Sequence, residues 1–330
     1  MNRILLLSFL ALVSACSSRE VVVVYSPHGP DVGKDYEKMF EEAHPNIDLQ
    51  WIDASSQDVF NRVNAEQNRP ACDVWWGGPS TMFMQATKSG LLAPYEPSWA
   101  AAVGEGFKDP DSNWYGTYDT PLAIMFNNRK YTRETVPQNW DELLDPAWKN
   151  KITIRAPLKS GTMRTFIGSS ILRAGGDDEG IAWLTKLHGQ TKSYMESPQL
   201  MFDHLKRNEE LITVWIMPDA VLQRERNGYP FDSLIPADAP VLTEGIAIIN
   251  GAPHRENAEL LYEFITTNKA LIHQANEYAK IPTRSDIDKS KLPAWMGEQE
   301  VDAMEIDWEA FAQNEQGWID RWKSEVYDAK

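Results

Sequence analysis

The sequence Ser160-Gly161-Thr162 follows a β-branched run, Ile152 to Ile154, and a turn marked by Pro157, and it opens a helical pattern. A helix N-terminus carries unpaired backbone N–H groups and the positive end of the macrodipole, which suits it to holding an anion. Gly161 lets backbone approach a ligand closely, and the Ser160 and Thr162 hydroxyls add donors. Arg155, Lys159 and Arg164 stand within a turn of it, so the segment could grip a phosphate-like or carboxylate group. It reads equally as an ordinary N-cap with solvated basic side chains. Gly77, Gly78, Ser80 and Thr81 repeat the pattern of a strand end, a Gly-rich turn and a helix start. His28, just past another strand end, suits a polar contact. Tyr118 and Asp119 lie on a long extended run. Asp219 and Glu244 are carboxylates that could accept bonds from hydroxyls or an amine, or could equally be a helix cap and a solvated rim. Trp75, Trp76 and Trp215 could stack on a ligand or fill a core. Trp75 and Trp76 are adjacent on a strand and must point opposite ways, so at most one of them lines a cleft.

The elements that would position these residues follow from periodicity. Val21 to Tyr25 reads as a buried strand, Lys34 to Ala43 as an amphipathic helix and Ile47 to Ile52 as a second strand, which makes a βαβ unit and predicts a parallel sheet. A helix over about 56–67, a strand at Asp73 to Trp76 and a helix to about Ser89 extend it. In open α/β sheets ligands sit at the C-terminal ends of such strands. Trp114 to Asn128 is one extended run, long enough to pass between lobes. Helices are predicted at Gly180–His188, Ser197–Asn208, Met217–Arg226 and Asn257–Thr267. Strands are predicted at Leu211–Ile216, Phe231–Pro236 and Thr243–Ile249. Trp295, Trp308, Trp318 and Trp322 mark a helical tail that packs by aromatic anchors.

The chain has 330 residues, 42% apolar and 11% aromatic, enough for two compact lobes. Its net charge of −16 argues against nucleic acid or an anionic membrane surface as partner. An anionic ligand needs a local pocket of cations and amides, whereas a cationic or metal ligand is helped by the overall field. Residues 1–15 read as a signal peptide with an apolar run too short to span. Leu12 to Cys16 resembles a bacterial lipobox, with cleavage before Cys16 and lipid on its thiol; a plain secretory signal with a chance cysteine is the alternative. Loss of 1–15, whose one charged side chain is Arg3, takes the net charge from −16 to −17. With Cys16 lipidated, Cys72 has no partner, which excludes a disulfide and a cysteine metal site. The six histidines show no paired metal spacing, and neither a Gly-x-Ser-x-Gly elbow nor Walker glycines followed by Lys-Ser/Thr occur, so an enzyme is not expected.

Val21–Gly29, Asp73–Ser80, Trp140–Trp148, Ser160-Gly161-Thr162, Thr243–Ile249 and Lys280–Arg284 stand in an order that resembles the solute-binding proteins of ABC importers. The nearest likeness is to the ferric-ion-binding-like group, which also includes binders of sugar phosphates and phosphonates. The resemblance runs through nearly all of the mature chain. It implies an α/β type II periplasmic-binding fold, with two α/β lobes joined by crossing strands that close on a ligand cleft. Residues 20–124 and 243–284 would form the first lobe, and 125–242 and 285–330 the second. Ferric members carry adjacent tyrosines in the loop after the strand matching Leu211–Ile216; here that loop holds Trp215, Met217 and Asp219. Fe(III) favours phenolate and carboxylate oxygens, which a tryptophan does not supply. The segments Tyr25-Ser26-Pro27-His28, Trp76-Gly77-Gly78 and Ser160-Gly161-Thr162 are similar to those of sugar-phosphate-binding members.

The resemblance therefore implies a monomeric, lipid-anchored, exported solute-binding protein that uses no cofactor or metal, serves an ABC permease and touches the membrane only through its lipid. The anionic end of a small phosphorylated solute would lie on Ser160–Thr162 and Gly78–Ser80. Its remainder would meet His28, Asp119, Asp219 or Glu244. A ferric-ion carrier using carboxylates with a synergistic anion, and a tethered sensor feeding a signalling partner, are the alternatives.

Overall fold

The computed structural model describes residues 19–208, 210–298 and 301–329; residues 1–15, read above as a signal peptide, and Cys16 lie outside them. The first part of the chain runs β1 (Glu20–Ser26), α1 (Pro30–Ala43), β2 (Ile47–Asp53), α2 (Ser56–Ala65), β3 (Val74–Pro79), α3 (Ser80–Lys88) and β4 (Leu92–Ala93). A long strand, β5 (Tyr115–Asn127), then leaves this lobe. The second lobe follows with β6 (Ile152–Arg155), α4 (Gly161–Ala174), α5 (Asp177–Gln190), β7 (Thr191–Met195), α6 (Pro198–Arg207), β8 (Ile212–Ile216), α7 (Met217–Asn227) and β9 (Phe231–Leu234). The chain returns through β10 (Val241–Ile249) to α8 (Arg255–Ile265), α9 (Asn268–Tyr278) and β11 (Ile281–Pro282), and ends in α10 (Trp295–Glu298) and α11 (Trp308–Arg321). A strand over 191–195 and a separate helix over 268–278 are additions to the elements that periodicity picks out.

The sheet order is β2-β1-β3-β10-β5-β8-β6-β7. β1 pairs in parallel with both β2 and β3, and β6 with both β7 and β8, as βαβ connectivity requires. β5 belongs to both halves. Residues Tyr115 to Pro121 pair antiparallel with β10, and Leu122 to Phe126 pair antiparallel with β8. β10 mirrors this, with Leu242 in the core of the second lobe and Ile246 in that of the first. Two strands thus cross between lobes, which defines the hinge of a type II periplasmic-binding fold.

The first lobe buries both faces of its sheet. Val22, Val24 and Trp76 face α1 and α8, while Val23, Tyr25 and Trp75 face α2 and α3. Trp75 stacks on Phe83 at 4.2 Å, and Trp76 meets Tyr36 edge-on at 4.9 Å. These adjacent tryptophans point to opposite faces as the strand pleat demands, and both serve core packing rather than the cleft.

After β11 the chain stays on the first lobe, with Ser285 donating to the Ala102 carbonyl and Asn276 to that of Lys291. It joins the second by Asp302, whose carbonyl accepts from Ala239. The passage therefore comes later than Ser285. Helix α11 then packs against both α3 and α4. Glu315, 1% exposed, accepts from Arg164 Nε at 2.6 Å with one oxygen and from Gln85 Nε2 at 3.2 Å with the other. Removing one partner of a buried pair leaves an uncompensated charge, which costs far more than an exposed pair. Glu315→Ala is expected to lower the unfolding free energy by about 3–5 kcal/mol in urea titrations. Lys323→Ala, which breaks an exposed pair with Asp328, is expected to cost less than about 1 kcal/mol.

Candidate ligand-binding cleft

The two lobes enclose a cavity of about 680 Å³ at the C-terminal ends of their strands, a volume suited to a small polar solute. Its wall takes residues from every crossing or strand end: His28 after β1, Gly78 in β3, Tyr118 in β5, Arg155 in β6, Trp215 in β8, Asp219 in α7 and Glu244 in β10. Ser160 and Thr162 line it at the start of α4, and Lys280 lines it just before β11.

One group of these is anion-seeking. Arg155 is 4% exposed, and its Nη1 donates to the Met195 carbonyl at 3.0 Å. No carboxylate is in ion-pair contact with it among the described residues; burial lowers its pKa, opposed by the charges of Glu196 and Asp58. Ser160 caps α4 by accepting from the Met163 amide at 3.3 Å, and it lines the cavity, so its hydroxyl retains a proton to donate. Thr162, 8% exposed, lines the same wall, and its hydroxyl has no partner among the described residues.

The other group is rich in acceptors. Glu244 is buried and accepts from the Gly78 amide; Asp219 accepts from Trp215 Nε1 at 2.6 Å. Burial pushes both carboxyls up, and Lys280 pulls both down. Ser26 Oγ lies 2.9 Å from His28 Nδ1, and the Tyr118 hydroxyl is bonded to His28 Nε2. Burial, reinforced by the Lys280 charge, holds His28 well below its usual range, so the imidazole is neutral. Burial, Glu244 and Asp219 hold the Tyr118 phenol well above its usual range, so it keeps its proton.

Several residues named from sequence stand elsewhere. Gly161 does not line the cavity. Its amide donates to Ser56 Oγ at 3.0 Å across the lobes, and a Cβ there would come within 2.8 Å of Pro79 and Met82. The close approach predicted for it is to the other lobe. Gly77 sits at φ 102°, and a Cβ would strike the His28 ring at 2.7 Å; it makes room for the histidine. The Gly78 amide is occupied by Glu244, so this turn does not offer it to an anion. Ser80 is buried at the start of α3 and off the cavity wall, and the Thr81 hydroxyl is buried without a partner among the described residues. Arg164 serves Glu315, and Lys159 pairs with Asp58 across the lobes at 3.1 Å.

Asp119 belongs to the hinge. It accepts from Thr243 Oγ1 at 2.7 Å, opposite Ile281 of β11. Lys280, Arg226, Asp53 and Tyr278 also line the wall and are not singled out by spacing. A signal for Lys280 was its place one residue ahead of a strand-like Ile-Pro, beside the crossing strand of a strongly acidic chain.

A two-lobed cleft with pre-placed donors and acceptors can hold a small polar solute. The chain matches the bacterial extracellular solute-binding protein family model over residues 79–314, and it belongs to that family. It is therefore exported and binds a solute. A Salmonella typhimurium protein designated "Putative 2-aminoethylphosphonate-binding periplasmic protein" is 25% identical, over 98% of this chain and 97% of that one. The periplasmic binding protein AfuA of Actinobacillus pleuropneumoniae, solved with fructose-6-phosphate bound, superposes with TM-score 0.83 at 24% identity, covering 94% of this chain and all of that one. The ferric binding protein of Campylobacter jejuni gives TM-score 0.79 at 16% identity, covering 92% and 98%.

Burial raises the Asp119 carboxyl from 3.8 to about 6, with the Thr243 bond opposing it. The folded state thus holds this proton more tightly than the unfolded chain. Stability from this group is fully present below about pH 4 and is lost as pH rises through 6. Asp119→Asn, which keeps an acceptor for Thr243, should raise unfolding free energy at pH 7.5 by up to about 3 kcal/mol. The gain over wild type should vanish near pH 4, as read by paired urea titrations.

Proposed function

We propose that this protein is the solute-binding component of an ABC importer and captures a small phosphorylated or phosphonate solute, most fittingly a sugar phosphate, between its lobes. The observation that carries the reading is Arg155, a buried guanidinium free of any carboxylate contact among the described residues, beside the inward hydroxyls of Ser160 and Thr162. A buried unpaired cation in a chain of net charge −16 calls for an anion. Charge-assisted bonds from Arg155, with hydroxyl donors and the N-terminus of α4, suit a phosphoryl or phosphonyl group. The acceptors Asp219 and Glu244, with neutral His28 and protonated Tyr118, suit the hydroxyls of the solute's other end. Trp215 offers a ring beside them. Membership of the family and the phosphonate- and sugar-phosphate-related names among its relatives support the same reading.

Ferric ion fits this wall less well. The end of β8 and the first turn of α7 supply an indole and one carboxylate where adjacent tyrosines would serve, and Tyr118 is held in its neutral form. The leader and Cys16 support a lipid anchor that would keep the protein beside its permease; intact mass of the membrane fraction, before and after Cys16→Ser, checks this.

Calorimetry and thermal shifts against hexose phosphates, phosphonates, inorganic phosphate and Fe(III) test the ligand class. Arg155→Met is expected to weaken a phosphorylated ligand about 10- to 100-fold, since a hydrogen bond to a charged group contributes about 1.5–3 kcal/mol. Ser160→Ala combined with Thr162→Ala is expected to cost at least about tenfold. A stabilisation by iron alone, or affinities for every anion unmoved by these variants, sinks the reading.

A further inference from the structure

Lys280 has no assigned role, yet it stands in the cleft among the carboxylates. It follows Ala279, which adopts the left-handed conformation at φ 55° as the cap of α9, a backbone state disfavoured for a residue with a Cβ. That turn delivers Lys280 to the cavity wall immediately before Ile281 pairs with Asp119. Its ammonium lies over the Tyr118 ring, 4.5 Å from the centroid. Among the described residues it makes no ion pair within contact distance and no hydrogen bond, although Asp219 of α7, Glu244 of β10 and His28 after β1 all feel its charge. The cation is thus held by a ring and a backbone turn rather than by a carboxylate, which leaves both carboxylates with open acceptor positions.

We propose that Lys280 is a specificity-determining residue, a built-in counter-cation that reserves the Asp219–Glu244 end of the cleft for the hydroxyls of a neutral solute body and disfavours solutes that bring an ammonium there. The inference rests on the reading that the solute carries a phosphoryl or phosphonyl group. A hydroxyl donates to either carboxylate without feeling Lys280. An ammonium is drawn by the carboxylates but repelled by Lys280 across the same low-dielectric space, and it loses more hydration on entry. Removing the lysine charge therefore shifts the balance toward the amine, while the Arg155 end of the site is untouched. The groups that set this balance are Asp219, Glu244, Lys280 and the neutral His28 and Tyr118.

The test compares wild type, Lys280→Met and Lys280→Arg by calorimetry at pH 7.5, with glucose 6-phosphate and 2-aminoethylphosphonate as probes. Wild type should prefer the hexose phosphate at least tenfold. Lys280→Met should reduce that ratio at least tenfold, and Lys280→Arg should retain it. Equal loss of both ligands in Lys280→Met overturns the proposal, because a merely structural or general anion-attracting lysine acts on both alike. A second readout needs no solute: carbon NMR of labelled Glu and Asp carboxyls through a pH titration. Lys280→Met should move the Glu244 titration to higher pH and Lys280→Arg should not; an unmoved Glu244 overturns the proposal whatever binds. If wild type binds neither probe, the phosphoryl reading fails, and the carboxyl titration still decides the role of Lys280.

Discussion

The structure depends on one strand being shared by two sheets. β5 runs for 13 residues, pairs with β10 along its first half and passes into the second lobe to pair with β8 and β9. The acceptor-rich side of the cleft is referenced to it. Tyr118 lies on it, Glu244 is its cross-strand neighbour, β11 pairs with it just after Lys280, and β8 leads into Trp215 and Asp219. A strand hydrogen-bonded on both sides resists stretching but tolerates twist. Lobe rotation can then change the cleft width while the residues attached near the crossing keep their mutual positions. The acceptor-rich part of the site therefore lies beside the strand that both lobes share.

Electrostatics then decide what such a cleft can hold. The chain is strongly acidic, so the cations that matter are those shielded from the general field. Arg164 and Lys159 are consumed by carboxylates, while Arg155 and Lys280 are not. Neutrality of His28 and protonation of Tyr118 follow from the same enclosure, since each would otherwise add a desolvated charge. The wall is left with two buried or half-buried cations lacking ion-pair partners among the described residues, and with Asp219 and Glu244 retaining acceptor capacity. A rigid arrangement of this kind is already desolvated and oriented before a ligand arrives, which reduces the cost of binding.

Much of this was legible in the chain, and the failures have a common cause. Alternation and 3.6-residue periods located the βαβ units, and the Ser160 cap and Trp215–Asp219 corner followed from strand-end and helix-start residues. Periodicity describes one element at a time, however. It marked Gly161 and Gly78 as free backbone because nothing local occupies them; Ser56 and Glu244, 105 and 166 residues away, do. Asp119 looked like a cleft residue because it neighbours Tyr118, but the pleat sends alternate side chains to opposite sides. Lys280 entered only as part of the Lys280–Arg284 segment, with no role of its own, because the carboxylates that give it meaning lie on two other elements.

The tail shows how the remaining elements complete the mechanism. Helix α4 presents Ser160 and Thr162 at its first turn and carries Arg164 one turn inward, where Glu315 of α11 holds it in a buried bond. The same carboxylate reaches Gln85 on α3, the helix that begins directly after Gly78 and Pro79. Helix α4, whose start lines the cleft, and helix α3 of the other lobe are thus both tied to one buried group on a third helix. By contrast, the direct Lys159–Asp58 contact between lobes is about half exposed on both sides and contributes at most about 1 kcal/mol. Costly contacts lie behind the cleft and inexpensive ones at its solvent-exposed edge. A solute held between Arg155 and Glu244, as proposed, would add its own bonds on the side where the direct contact between lobes is weakest.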